Sequence, residues 1–131
     1  MKLLDSDTCI GILRGRVEVL QRRATETDEI ATSWVSGAEL FYGAAKSANP
    51  EANSALVVRF LNTLPVLGPD LASARLFGAL KARLAHSGRL VADAYLFIAA
   101  ISLSRGATLV TGNRKHYERI PGLALKNWLR A

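Results

Sequence analysis

Lys2-Leu3-Leu4-Asp5-Ser6-Asp7-Thr8 opens the chain and decides how the rest is read. Its first residues read as a short buried strand over roughly residues 2–5, and that strand closes on an acid. Carboxylates are kept out of apolar company unless they are paired or bound to a metal. Further along, Glu39 lies between Ala38 and Leu40-Phe41, Asp93 precedes the uncharged run Leu96–Ile101, and Asn113 follows Ala107-Thr108-Leu109-Val110-Thr111. Acids gathered in one pocket repel each other, so such a cluster implies a divalent cation with hard oxygen ligands.

Outward from that first strand the pattern alternates. Helical segments are expected around Cys9–Leu13 and Val17–Ala24, and Glu29–Ser33 reads as a second strand. Ser36 opens a helix running to Ser47, and Pro50 starts another that carries Leu56, Phe60 and Leu64 on one face. Pro65-Val66-Leu67 reads as a third strand. A long helix from Pro69 aligns Leu76, Leu80 and Leu84 and closes at Gly88. Residues 93–104 form a helix apolar nearly all round, which belongs in the interior. Thr108–Thr111 is a fourth strand and Leu123–Leu125 a possible fifth. Short strands alternating with helices imply an α/β fold with a parallel sheet, whose ligands bind at the carboxyl ends of the strands.

A length of 131 residues, half of them apolar, suits one domain over 1–131 with a real core. No apolar run is long enough to cross a bilayer, and the first residues lack the pattern of a signal peptide. The lone Cys9 excludes an internal disulfide framework. The expected placement is the cytoplasm. The net charge of +6 is uneven: residues 71–131 hold ten Lys/Arg against two Asp/Glu. A basic surface beside isolated acids suits a nuclease, with cations for phosphates and carboxylates for metal; it also suits plain solvation of helix faces.

Each polar position has a competing structural use. Asp7 fits an N-cap for the segment after it, whereas Asp5 continues the strand. Ser36-Gly37-Ala38-Glu39 has capping-box spacing, in which Glu39 reaches back to the Ser36 backbone. Asp93 fits an N-cap of the buried helix, where an anion is favoured, and Asn113 a turn residue. His86 and His116 read as surface groups, and Trp34 and Trp128 as packing.

In their order, these segments resemble the PIN domain, and specifically the VapC-type toxin ribonucleases. Leu3–Ile10 resembles the opening strand and its Asp-Thr-Asn-like motif, and Ser33–Ala44 the second motif with Glu39 as its acid. Ile98-Ala99-Ala100 and Gly106–Asn113 resemble the third and fourth motifs, and His116–Leu123 the usual ending. The resemblance implies a PIN-like three-layer fold with a short, mainly parallel central sheet flanked by helices. It also implies a magnesium- or manganese-dependent endoribonuclease, a VapB-like antitoxin partner and a homodimer. Asp5, Glu39 and Asp93 would hold the metal, Asn113 would close the pocket, and Asp7, Ser36 and Thr111 would support it. Arg114 and Lys115, directly after Asn113, are the best placed to hold RNA phosphate.

One position departs from the family. Its third acid usually lies three residues before the Ile of Ile-Ala-Ala, where this chain has Tyr95. At about 100° per residue, Asp93 and Tyr95 would stand about 200° apart on one helix. Asp93 could therefore replace that acid only from outside helical geometry. Two other readings remain. One is a degenerate PIN domain that binds RNA or antitoxin without cutting. The other is a haloacid-dehalogenase-like phosphatase, which Asp5-Ser6-Asp7 suits but which needs a later acidic pair, where residues 94–131 offer only Glu118.

Overall fold

Leu3 and Leu4 point to opposite sides of one sheet, and the two hydrophobic cores of the protein form around them. The computed structural model describes residues 1–130. In chain order the elements are β1 (Lys2–Leu4), α1 (Ser6–Leu13), α2 (Val17–Thr25), β2 (Ile30–Ser33), α3 (Trp34–Ala45) and α4 (Pro50–Leu61). There follow β3 (Val66–Leu67), α5 (Leu71–His86), α6 (Asp93–Ser104), β4 (Thr108–Val110), α7 (Arg114–Tyr117) and β5 (Ala124–Lys126).

The strands lie in the order β3-β2-β1-β4-β5, and every pairing is parallel. β1 is central: Leu3 pairs with Ala31 of β2 on one side and Leu109 of β4 on the other. The chain first winds one way from β1, through β2 to β3, and then returns to its other side for β4 and β5. In open α/β sheets, ligands settle in the crevice where the winding reverses, outside the carboxyl ends of the strands. Here that point is the end of β1, at Asp5.

Parallel strands buried on both faces carry near-continuous apolar residues, as Leu3-Leu4 and Leu109-Val110 do. Leu3, Ala31 and Leu109 pack with Leu80 and Leu84 of α5 and with Leu96, Ala99 and Ala100 of α6. Leu4 and Val110 pack on the other side with Cys9, Val19, Leu40, Phe60 and Trp128. The layers are thus helix, sheet and helix, with α6 buried as its composition requires.

The local signals explain the boundaries. Asp70 caps α5 through the Ser73 backbone N–H at 2.8 Å, and Ser73 Oγ accepts from the Asp70 N–H at 3.3 Å. Gly88, with φ of 72°, ends that helix as expected, letting Arg89 N–H reach Leu84 O at 2.8 Å. Two expected caps lie elsewhere. Asp5, not Asp7, caps α1, which therefore begins at Ser6 and not near Cys9. Ser33, not Ser36, caps α3 by accepting the Ser36 N–H at 3.1 Å, so the capping box between Ser36 and Glu39 does not form. The helix starts two residues earlier than the spacing suggested, which places Ser36 at its third position and frees Glu39.

Truncating the centre of the sheet is costly. Leu3→Ala is expected to lower unfolding free energy by about 2–5 kcal/mol, whereas Val66→Ala, on the half-exposed edge strand, costs about 1 kcal/mol or less. Urea midpoints at unchanged slope measure both; equal costs would contradict the central placement of β1.

Candidate active site

Asp5 joins the sheet to the site. Its backbone N–H still pairs with Val110 O at 2.9 Å, as a strand residue would, while its carboxylate caps the helix that follows. Oδ1 accepts the Ser6 N–H at 2.8 Å and Oδ2 accepts the Thr111 hydroxyl at 2.8 Å. The residue is 2% exposed. Burial pushes its carboxyl up to about 6; the nearby charge of Asp7 adds to the shift, and the Thr111 and Ser6 bonds oppose it.

Three further residues are tied to Asp5. Ser6 Oγ donates to Glu39 Oε1 at 3.1 Å, so Ser6 bridges Asp5 and Glu39. Asp7 Oδ2 accepts the Gly112 N–H at 2.8 Å, which ties the start of α1 to the loop after β4. A Cβ at Gly112 would stand 2.8 Å from Leu129 Cδ1 and 3.0 Å from Asp7 Oδ2, so a side chain there would displace the ends of both. Thr111 accepts the Asn113 N–H at 3.0 Å while donating to Asp5. Asp7 and Thr111, expected to support the site, make the bonds described to Gly112 and to Asp5. Ser36 is buried, but its observed partner is Ser33.

Asp93 is not at an N-cap. Ala92 holds that position, and Asp93 is the first residue of α6. Its carboxylate is exposed and paired with Lys81 Nζ at 3.0 and 3.3 Å, and no hydrogen bond links it to Asp5, Asp7 or Glu39. Asp93 is helical, and so its side chain follows the angular separation from Tyr95.

Tyr95 takes the inward place. It packs partly buried against the core, and burial, then the negative charges of Asp5, Glu39 and Asp7, raise its phenol. Its ring stacks on His116, with centroids 4.3 Å apart and planes 6° from parallel, and meets Tyr117 edge-on at 5.4 Å. Among the described residues, the buried Tyr117 hydroxyl has no partner at hydrogen-bonding distance. Burial raises that phenol strongly, and the neighbouring Asp5 charge raises it further, so it stays protonated.

Asn113 precedes α7 and makes no side-chain cap bond. With Arg114, Lys115, Lys126, Asn127 and Arg130, and with Glu118 as its one acid, it lines a cavity of about 730 Å³ next to Gly112. Lys126 and Arg130 join this cationic wall from β5 and the segment beyond it, which no local spacing reveals. Ser6, Tyr117 and Gly112 also escape the sequence: a serine between two acids, a tyrosine and a turn glycine are common for other reasons.

The donors suit a hydrated hard cation more than a closed cage. Asp5 and Glu39 offer carboxylate oxygens across Ser6. Among the described residues, no three His, Cys, Asp or Glu side chains group as a ready metal site. Magnesium often takes one or two carboxylates and keeps several waters, so the pair is compatible with it.

A PIN domain family model matches residues 2–123. The chain belongs to the PIN domain family. It is 37% identical over 127 residues to the tRNA(fMet)-specific endonuclease VapC of Salmonella typhimurium, covering 96% of each chain. It is 35% identical to Ribonuclease VapC2 of Haemophilus influenzae, covering 97% of each. Among solved structures, DNA-bound VapBC from Salmonella typhimurium superposes with a TM-score of 0.90 at 36% identity and 97% coverage of both chains. VapBC2 from Rickettsia felis, bound to a promoter DNA fragment, also gives 0.90, at 29% identity, covering 97% of this chain and 98% of that one. Membership of this family and the lack of a second acidic pair set the phosphatase reading aside. Among the described residues, no helix is long and apolar enough to cross a membrane.

The raised Asp5 carboxyl makes a stability prediction. The folded state holds the Asp5 proton more tightly than the unfolded state, so stability falls as pH rises from 3.8 to about 6. Above that window the ionised group costs about 3 kcal/mol without a bound cation. Metal-free Asp5→Asn should therefore melt above the native protein at pH 8, with the gain gone at pH 4. Equal melting temperatures at pH 8 would contradict the buried, strained charge.

Proposed function

We propose that this protein is a metal-dependent endoribonuclease toxin, neutralised by a VapB-like antitoxin. The observation that carries the reading is the buried Asp5 at the carboxyl end of the central strand, linked through Ser6 to Glu39 and backed by Thr111. Family membership supports the fold and the reaction class. The relatives named as VapC ribonucleases, and the neighbours solved as VapBC complexes, support the substrate and the partner.

In this reading Asp5 and Glu39 hold magnesium or manganese, largely through waters. The metal supplies a water of lowered pKa and offsets charge on the phosphate. Thr111 and Ser6 fix the Asp5 oxygens, and Asp7 holds the Gly112 loop. Asn113 borders the phosphate path. Arg114 and Lys115, joined by Lys126 and Arg130, attract the RNA backbone that the carboxylates alone would repel. Asp93 stands outside the metal set, because its exposed carboxylate already answers Lys81. Exposed apolar side chains such as Tyr42, Leu56, Val58 and Leu71 offer surface for the antitoxin and for a second copy in a homodimer. A cytoplasmic placement follows from an RNA substrate.

Tyr95 favours a second reading, a degenerate domain that binds RNA or antitoxin without cutting, since a phenol brings neither charge nor a good oxygen ligand.

Cleavage of purified transfer RNA with magnesium decides between them. The native chain should cut. Asp5→Asn and Glu39→Gln should each lose more than about 100-fold, beyond the usual range for groups that only support a ligand. Asp93→Asn should stay within about threefold of native, a change of less than 1 kcal/mol in the barrier. A folded native chain that cuts nothing with either metal would establish the degenerate reading. A large loss in Asp93→Asn would restore that residue to the site.

A further inference from the structure

A second cavity, of about 360 Å³, opens beside position 95, and its walls include Leu90, Val91, Tyr95, Lys115, His116 and Arg119. Its chemistry differs from that of the acidic cluster. It offers aromatic rings, an apolar lip from the exposed Leu90, and two cations with no carboxylate in the wall. The Tyr95–His116 stack is nearly parallel at 4.3 Å, with Tyr117 closing the inner side edge-on. His116 is exposed, and among the described residues no hydrogen bond fixes its ring. A flat ring could extend this stack, and its negative substituents would meet Lys115 and Arg119. A base on a single-stranded RNA has both properties, since every base has a π-face and carries phosphate beside it.

We infer that Tyr95 and His116 form a stacking subsite for one RNA base beside the scissile phosphate, with Lys115 and Arg119 holding the adjoining backbone. The subsite rests on the endoribonuclease reading. It assigns a use to the residue that departs from the family: the third acid is exchanged for a ring that binds substrate. It also sets an order along the RNA. Lys115 and His116 border both cavities, so the strand passes from the larger basic cavity to the base subsite across them.

The test measures binding in EDTA, separately from cleavage. The probes are fluorescein-labelled octa-adenylate RNA and an eight-unit abasic ribose-phosphate chain of equal charge. Stacking on an aromatic side chain contributes about 1–3 kcal/mol per base, or roughly 5- to 150-fold in affinity. His116→Ala and Tyr95→Leu should each cut the preference for octa-adenylate by at least about fivefold, leaving abasic binding unchanged. Tyr95→Phe, which keeps the ring, should retain the preference. His116 is exposed, so its variant is expected to fold; melting checks both. An unchanged preference in His116→Ala and Tyr95→Leu overturns the subsite, and so does an equal loss on both probes, which points to phosphate contacts or packing. Native protein that shows the expected preference yet cuts no RNA with metal refutes the nuclease reading and leaves the base subsite standing.

Discussion

A carboxylate buried at the carboxyl end of the central strand is the constraint on which the rest of the structure depends. Asp5 takes a strand hydrogen bond from β4, starts α1 and aims its oxygens at Ser6 and Thr111. Ionising it in that position is unfavourable, and its raised pKa records the cost. A protein keeps such a group when the cost is recovered by something it binds, and the divalent cation proposed beside Glu39 would recover it directly. The winding order serves the same end. Placing β1 between β2 and β4 brings Asp5, the Thr111 loop and the start of α3 to one crevice from distant parts of the sequence.

Much of this was legible before the structure. Apolar runs bounded by turn residues marked all five strands, and Pro50 marked the start of α4. α5 instead starts at Leu71 behind its Asp70 cap, two residues after the expected Pro69. Leu56, expected on the apolar face of α4, is exposed, while Val57 and Phe60 are buried. Of the positions singled out, Asp5 bonds Thr111 directly and reaches Glu39 through Ser6, Asp7 bonds Gly112 beside them, and Asp93 turns away to Lys81. The caps were misassigned because Ser, Asp and Glu satisfy several capping patterns at once. Which residue caps depends on where the strand ends, and β2 ends at Ser33, three residues before the serine that spacing favoured. The Ser6–Glu39 bond joins residues 33 positions apart, and Lys126 and Arg130 reach the cavity beside Asn113 only through the way β5 and the segment after it pack, so no local pattern encodes either.

Position 95 separates this chain from the pattern of its family. The helix rotation that turns Asp93 outward to Lys81 turns Tyr95 inward against the core. The cluster is thereby left with less negative charge than three carboxylates would give. In the proposed site that would ease the repulsion felt by Asp5 and by an approaching phosphate, and it would weaken the hold on a cation. Stability, metal affinity and substrate affinity are linked at this one residue, and a change that improves one of them is expected to worsen another.

The central claim is that two carboxylates, Asp5 and Glu39, form the metal site, with the third place taken by an aromatic ring. Manganese titration by calorimetry, on the native chain and on Tyr95→Asp at pH 8, tests it most directly. The account predicts weak binding by the native chain and an affinity at least about tenfold higher in Tyr95→Asp, the gain of about 1.4 kcal/mol expected from one added hard ligand. Equal affinities in two folded proteins would contradict it, because position 95 would then lie outside the reach of the metal.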